Sequence, residues 1–508
     1  MPETTSESAI DALAPYIDRL RQNVSEFTLD NGLRFIVMER HDAPVVSFVT
    51  YANVGGVDEP VGKTGVAHYL EHLAFKGTKT IGTTDYAAEQ KIFDQLDRTF
   101  NQIQRLQKLG KTQSLERLEA RFNTLKAEAS QLVRQNELGQ VIEREGGVGL
   151  NAATSSDATT YFYSLPSNKL ELWMYLESER FRDPIFREFY EEKDVILEER
   201  RMRFDNDPVS QLFEAMKNKA FAVHPYGQPL IGHVEDLRSL TRQDVQRFFN
   251  QHYGPENLTL AVVGDVDKDQ VQRLAKTYFG RPRRGGLAKA GLGQGGDRTA
   301  TIPPEPAQTE TRSVELRAPA QPWYVEAYHI PSMAAPDYVA YAVLGDILSS
   351  GRTSRLYRSL VETEQVALSA RGMAGYPGDK YPNLLVFYAL VAPGHRLEEV
   401  EASLHAQLEA MVAKPPEEAE LARVKRQLKT SVLRSLKSNQ GMASVLTEYQ
   451  AKTGSWENLI RDLEAIARLT PADIQRVAQT TLRPENRTVA RLLPETQAPE
   501  TQAPKTKP

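Results

Sequence analysis

The sequence predicts an α+β protein made of two α/β units, with a helical hairpin inserted into the first. Three observations predict it. Short β-rich runs alternate with helical periodicities. A Gly- and Pro-rich break at residues 281–312 divides the alternation in two. The 508 residues are too many for one core, since domains run to roughly 100–200 residues each. Composition narrows the class further. A hydrophobic content of 40% and a charged content of 25% are ordinary for a globular chain. The net charge of −5, from 62 basic and 67 acidic residues, gives no basic patch for nucleic acid. No apolar run approaches the roughly 20 residues of a membrane-spanning helix. There are no cysteines, so a transition metal could be held only by His, Asp and Glu.

Residues 1–26 form a polar leader without the apolar core of a signal peptide. It reads as a cytoplasmic start or as a mature start left by processing, with the bacterial periplasm slightly favoured. The first unit is expected over 27–280. Runs at 27–29 and 33–38 flank Asp30-Asn31-Gly32, a good hairpin turn. Residues 45–52 are β-rich, and a helix with Thr64 as N-cap follows. The insertion, 87–140, is a helical hairpin. Ile92, Leu96, Phe100, Ile103 and Leu106 recur at helical spacing, Gly110 breaks the pattern, and Leu115, Leu118, Phe122, Leu125, Ala129 and Leu132 resume it. A surface hairpin with one packed seam is the plainer reading, and a lid or docking arm the functional one. Strands are expected at 159–165 and 258–263, with helices at 169–180 and 189–204. The linker 281–312 is flexible and then extended, packing into nothing by itself. A second α/β unit covers 313–493, with strands at 323–330, 384–391 and 488–492. The tail 494–508 repeats Pro-Glu-Thr-Gln-Ala-Pro and reads as disordered.

Four residues carry the chemistry. His68, Glu71 and His72 lie in GVAHYLEHLAFKGT, and Glu199 in EEKDVILEERRMR. Histidines four apart on a helix share one face, with Glu71 beside them. Glu199 would supply a third ligand from another helix, and three protein ligands with one open position suit a catalytic zinc. Glu71, buried between imidazoles, calls for nearby positive charge. So do Glu192 and Glu199, which are seven apart and point the same way from one helix. A zinc-bound water with a pKa lowered to about 7 would give its proton to Glu71, which would pass it to a leaving amine. Glu192 would orient a ligand imidazole or balance charge. A purely structural metal site is the competing reading, but it leaves Glu71 without a role.

The order His-x-x-Glu-His is the inverted zincin motif, and the chain resembles the pitrilysin, insulysin and mitochondrial processing peptidase family. The likeness extends through TLDNGLRFIVMERHDAPVVSFVTYANVGGVDEP, GGVGLNAATSSDATTYFYSLP, HPYGQPLIGHVEDLRSLTRQDVQRFFNQHYGPENLTLAVVGDV and SSGRTSRLYRSLVE. The resemblance implies two related α/β sandwich domains with mainly antiparallel sheets, the first binding zinc and the second not. It implies one Zn²⁺ per chain on His68, His72 and Glu199, with Glu71 as base and Glu192 as an assisting catalytic glutamate. It places an extended peptide on the edge strand at Asn151, Ala152, Ala153 and Thr154 by β-augmentation. The segment from His72 to Glu199 exceeds the family's by about the size of the hairpin. The expected activity is a zinc metalloendopeptidase acting on peptides or unfolded segments.

One departure bears on partners. An Arg and a Tyr that assist at the substrate carbonyl in active relatives align with Val361 and Leu368 in LVETEQVAL. Neither side chain donates a hydrogen bond. The resemblance therefore implies a heterodimer whose zinc-free, homologous partner carries the pair, with a self-sufficient homodimer as the alternative. A structural, assembly or peptide-binding subunit with little turnover is the rival function. Elsewhere, His224 in VHPYGQP reads as a packing or turn residue. Gly146, Gly147 and Gly149 lack the Lys-Ser/Thr of a phosphate loop and would let the backbone run close beside bound peptide. Arg352 and Arg355 fit a solvated helix face, or contacts to substrate or partner.

Overall fold

A computed structural model of the chain describes residues 14–111, 114–280 and 302–495. Residues 1–13, most of the expected linker (281–301) and most of the expected tail (496–508) lie outside them. The chain enters through a helix, Ala14–Asn23, and runs straight into β1 (Val24–Thr28). A tight turn at Asp30-Asn31-Gly32 leads to β2 (Arg34–Glu39). The Leu29 and Leu33 backbones close this turn, and Gly32 takes φ +89°. The strands β3 (Val45–Ala52), β4 (Val148–Thr154), β5 (Thr159–Pro166) and β6 (Leu258–Gly264) complete a six-stranded sheet in the order β1-β2-β6-β3-β5-β4. Every pair is antiparallel except β2 with β6. The second sheet joins β7 (Arg312–Ala318), β8 (Trp323–Ile330), β9 (Ala367–Tyr376), β10 (Asn383–Val391) and β11 (Arg487–Pro494). Its order is β7-β11-β8-β10-β9, with only β7 and β11 parallel. The predicted α+β class with mainly antiparallel sheets therefore holds.

The central strands of both sheets are buried on both faces, and the helices that cover them are exchanged. Along β2, Phe35 and Val37 face a core built with Leu70, Leu73, Trp173 and Phe248 from helices of the first half. Ile36 and Met38 face the other way, onto Met442, Leu446, Trp456 and Leu463 from the second half. The second sheet repeats the arrangement. Tyr324, Tyr328 and Phe387 meet Leu344, Leu348 and Leu404 of its own helices. Val325, Ala327, Val386 and Leu492 meet Leu212, Met216 and Ala220 of the helix Pro208–Ala220, which belongs to the first half. The halves separated in sequence thus close each other's cores.

The inserted hairpin consists of the helices Tyr86–Lys108 and Leu115–Ser130, followed by a short helix, Glu137–Arg144. Its base is a buttress. Phe100 and Phe122 each place a ring 4.9 Å or 6.0 Å from neighbours in a cluster around Tyr190, which sits on the helix Phe189–Arg200. The Tyr190 hydroxyl donates to Asp97 at 2.9 Å. Buried Arg187 donates to Glu89 on the hairpin at 2.9 and 3.1 Å, and to the carbonyls of Lys76, Thr78 and Ile81 just beyond the histidine helix. A guanidinium with five donors can satisfy such a convergence of carbonyls and carboxylate where a lysine could not.

Three local expectations are corrected. Thr64 is not the N-cap of the histidine helix. Gly65 is, at φ +86°, and the Thr64 hydroxyl instead donates to Asp236 at 2.6 Å. A Cβ on Gly65 would come within 2.5 Å of the Ile231 carbonyl, so a threonine could not take that place. The helix expected over 189–204 is α-helical only to Arg200 and then widens into a π-helical turn over Arg201–Asp205. The described part of the linker is docked rather than free. The Glu305 carboxylate accepts hydrogen bonds from the backbone N–H groups of Ala222, Val223 and His224, each at 2.9 Å. This concavity of successive amides is a natural carboxylate trap.

Burial would raise the Glu305 carboxyl, but the three amides outweigh it and hold its pKa below the ordinary value. A depressed carboxyl stabilises the fold above its unfolded pKa, and that contribution is lost as pH falls through the folded value. Glu305→Gln is expected to cost about 1.5–3 kcal/mol at pH 7, the worth of hydrogen bonds to a charged group. Urea midpoints of the two chains should converge as the pH is lowered through the acid range, and a gap independent of pH would contradict this account.

Candidate metal centre

The helix Val66–Leu73 has no side-chain cap of its own. Its first amides are satisfied by Glu59, whose carboxylate accepts from Gly65 N at 2.8 Å and Ala67 N at 2.9 Å. Its oxygens satisfy amides that the helix leaves unpaired, and burial pushes the Glu59 carboxyl up to about 8. Val66, Ala67, Leu70 and Leu73 anchor one face in the first core, which turns His68, Glu71 and His72 toward the cleft side.

His68 and His72 lie one turn apart and meet edge to face, with ring centroids 4.7 Å from each other. Glu199, from the last turn of the helix Phe189–Arg200, points Oε2 at both rings. It lies 3.7 Å from His68 Nε2 and 3.6 Å from His72 Nε2. The three ligand atoms all fall within 4.8 Å of one another, and no other such group occurs among the described residues. These separations are too long for hydrogen bonds. They are close to the ~3.4 Å edge of a tetrahedron whose arms are the 2.0–2.2 Å bonds of zinc to nitrogen and oxygen. The donor set fits a zinc ion better than it fits direct pairing.

Protonation follows the same logic. Burial, then the neighbouring His72 and Arg203, pushes His68 down to about 4, so its imidazole is neutral near pH 7 and free to act as a ligand. Around His72, burial opposes charge, but Glu192, Glu199 and Glu71 outweigh it and raise the pKa. The His72 Nδ1 atom meets Glu192 Oε2 at 3.1 Å, which directs Nε2 into the site. Lys76 in turn holds the other Glu192 oxygen at 2.5 Å and Glu188 at 3.0 Å. Arg203 pairs with the outer oxygen of Glu199 at 3.0 Å. Burial pushes the Glu71 carboxyl up, against the opposing pull of Thr154 and His72.

Strand β4 borders this site as the open edge of the first sheet. Asn151, Ala152, Ala153 and Thr154 pair inward with Phe162, Tyr161, Thr160 and Thr159 of β5, while no described strand lies on their outer side. The Thr154 hydroxyl donates to Glu71 Oε2 in a short hydrogen bond. Gly149, at φ +69°, sits in the bulge between Val148 and Asn151. Gly147 is required for packing, because a Cβ there would collide with Ile142 at 2.3 Å. Val361 packs half-buried against the second core, and Leu368 stands half exposed on β9. His224 is buried in a turn, its Nδ1 accepting from Tyr226 N at 3.1 Å. Arg352 is exposed, and Arg355 pairs with Glu420.

Sequence reasoning passed over Glu59, Lys76 and Arg203. Lys76 and Arg203 each lie four residues beyond a candidate ligand, Arg203 continuing its helix into the π-helical turn and Lys76 just past the end of the histidine helix. That spacing is a readable signal for both, whereas Glu59 has none.

The fold and the His-x-x-Glu-His order point to one class of protein, and comparison with known proteins names the family. A family model described as "Insulinase (Peptidase family M16)" matches residues 34–95 and 123–234, and one described as "Peptidase M16 inactive domain" matches 239–428. The chain belongs to peptidase family M16. The stretch between the first two matched segments, 96–122, takes in the tip of the hairpin and the part of its base that carries Phe100 and Phe122. The zinc protease PqqE of Helicobacter pylori is 26% identical over 482 residues, spanning 92% of each chain. An uncharacterised zinc protease of Mycobacterium leprae is 25% identical over 466 residues, covering 90% of this chain and 89% of its own. The crystal structure of a protease from Helicobacter pylori superposes with a TM-score of 0.76 at 25% identity, over 93% of this chain and 99% of that one. The periplasmic protease PqqL of Escherichia coli shares the fold at 18% identity and a TM-score of 0.66. The match takes in 93% of this chain and 48% of that longer one.

Lys76→Met leaves all three candidate ligands in place but frees Glu192 from its second anchor. Loss of such an outer contact is expected to weaken zinc retention about 10–100-fold. Competition against a chelator of known affinity measures this, and unchanged retention would show that Lys76 does not support the site.

Proposed function

We propose that this chain is a zinc-dependent endopeptidase of peptides and unfolded segments, holding one Zn²⁺ on His68, His72 and Glu199. The observation that supports it most is a juxtaposition. Three converging ligand atoms lie beside a carboxylate, Glu71, that is itself bonded to the open edge strand. Zinc relatives and a shared fold lend weight, but the reading rests on these residues.

When bound, Zn²⁺ would act as a Lewis acid on the scissile carbonyl and acidify a water. The remaining work falls to the chain. An extended peptide adds to the outer edge of β4, its backbone amides and carbonyls pairing with those of Asn151 to Thr154. With Glu71 Oε2 held by Thr154, Oε1 is the oxygen left to take a proton and deliver it to the leaving amine. The elevated Glu71 pKa makes that exchange easier near neutral pH. Glu192 keeps His72 in the tautomer that offers Nε2.

A partner belongs to the proposal. Val361 and Leu368 cannot donate hydrogen bonds, so a zinc-free homologous subunit would bring the assisting Arg and Tyr. The length relation to PqqL, whose first half alone is covered to 92%, suits a chain that forms half of a chamber. The likeness to that periplasmic protease also supports a periplasmic location. No described helix is long and apolar enough to cross a membrane.

Glu71→Gln is the decisive variant, because it removes the base and spares the ligands. Zinc content should stay at one per chain while peptide cleavage falls by about 10²–10⁴-fold. A zinc-loaded wild type that binds peptide but does not cleave it, alone or with a candidate partner, would make the chain a binding or assembly subunit instead. For the partner, activity of the isolated chain should rise when the homologous subunit is added, and full turnover from the purified chain alone would remove the heterodimer.

A further inference from the structure

Asp157 lies in the turn that joins the edge strand β4 to β5, three residues after Thr154. It is almost fully buried, at 1% exposure, and none of the chemistry above uses it. Its partners come largely from the other half of the chain. Oδ2 accepts from the backbone N–H of Asp379 at 2.8 Å and of Lys380 at 3.1 Å, both in the turn between β9 and β10. Oδ1 accepts a short hydrogen bond from the Tyr226 hydroxyl, and that hydroxyl accepts in turn from Tyr381 N at 3.2 Å. The Lys452 ammonium, from the helix Asn439–Thr453, stands 3.7 Å away and is shared with Asp379 and Glu448.

The fit is close enough to exclude a side chain. A Cβ on Gly378 would lie 2.6 Å from the Asp157 carboxylate. Next to it, the Lys380 ammonium donates to Asn53 Oδ1 at 2.7 Å, just after β3. On its other flank the Asp157 turn is tied to the loop that leads into the histidine helix. Gly56 N donates to Ser155 O at 3.1 Å, and Val57 N to Ser156 O at 3.0 Å. The same loop carries Glu59, which caps that helix. The end of the edge strand is therefore clamped between the loop feeding the histidine helix and a plug from the second half.

We infer that Asp157 is a positioning residue through which the second half of the chain sets the edge strand against Glu71. The carboxylate fixes the β4–β5 turn, the turn fixes Thr154, and Thr154 holds one oxygen of Glu71. This rests on the peptidase reading only for its consequence in turnover. The structural claim, that β4 is held in place from the second half, stands apart from it.

The test is hydrogen exchange on the full chain carrying Asp157→Asn, which removes the charge and turns one of the two acceptor oxygens into a donor. Exchange in 148–154 and 376–382 should accelerate together by about 10–100-fold, the loss of one to two charge-assisted hydrogen bonds read as local opening. The central strand β6 should stay at the wild-type rate. Zinc content should be unchanged, and kcat on a peptide should fall, while the urea midpoint drops by no more than the loss of those same hydrogen bonds accounts for. Unchanged exchange in 148–154, or equal acceleration through β6, would overturn the inference, the latter because it marks a general loss of stability. Should Asp157→Asn fail to fold, Tyr226→Phe removes one donor to the same carboxylate and is read by the same criteria. A wild type that cleaves no peptide would defeat the proposed function, while the exchange measurement would still decide this inference.

Discussion

Negative charge gathered around two imidazoles is the constraint on which the rest of this structure depends. Glu71, Glu192 and Glu199 each bring a half-buried carboxylate to His68 and His72. Among the described residues, only Lys76 and Arg203 supply fixed positive charge in direct contact, and both sit on the far side of the carboxylates they pair with. Carboxylates facing one another in a desolvated cleft repel unless a cation lies among them. A divalent ion at the point where the Nε2 atoms and Glu199 converge would relieve that repulsion.

Such a site can exist only if two helices and a strand are held to within fractions of an ångström, and much of the surrounding fold does this. Arg187 ties the residues after the histidine helix to the base of the hairpin. Tyr190, three residues further on, stacks into the hairpin and so braces the helix that carries Glu192 and Glu199. The hairpin is thus part of the support for the site at its base. The segment 96–122, which runs from part of this base through the tip, is where this chain departs from its family model. The plain reading of one packed seam describes the base well: Phe93, Leu96, Phe100 and Leu125 are all buried there.

The sequence made the site more legible than the scaffold. The i, i+4 histidines and the i, i+7 glutamates need only helical geometry to be placed on common faces, and the structure puts them there. Edge strand β4 was recognisable by resemblance alone, since Val-Gly-Leu-Asn-Ala-Ala-Thr carries too little apolar alternation to announce a strand. Strand β9 went unread for a similar reason, its small residues alternating only weakly, whereas β7 alternates cleanly, with Val314, Leu316 and Ala318 against Ser313, Glu315 and Arg317, and was legible though unread. Thr64 was assigned as a cap because local rules know nothing of Asp236 or of the Ile231 carbonyl pressed against Gly65. The docked linker could not have been foreseen either. A Pro-rich run looks free until the amides that receive Glu305 are brought to it from 222–224.

The exchange of helices between the halves was the least visible feature, and it bears on why the second half exists. Strands such as Leu258–Gly264 read as continuous apolar runs because both faces are covered. Nothing local says that one of those covers arrives from residues beyond 430. Among the described residues, the second half, which matches a domain described as inactive, adds nothing to the candidate metal group. It does bury Ile36, Met38, Val49 and Val263 of the first sheet beneath Leu446 and Trp456. Removing it would expose that apolar face to water, at about 25 cal/mol for each Å² uncovered. Since net stabilities are only about 5–15 kcal/mol, the first half has little prospect of keeping its sheet, and with it the spacing of His68, His72 and Glu199, without the second.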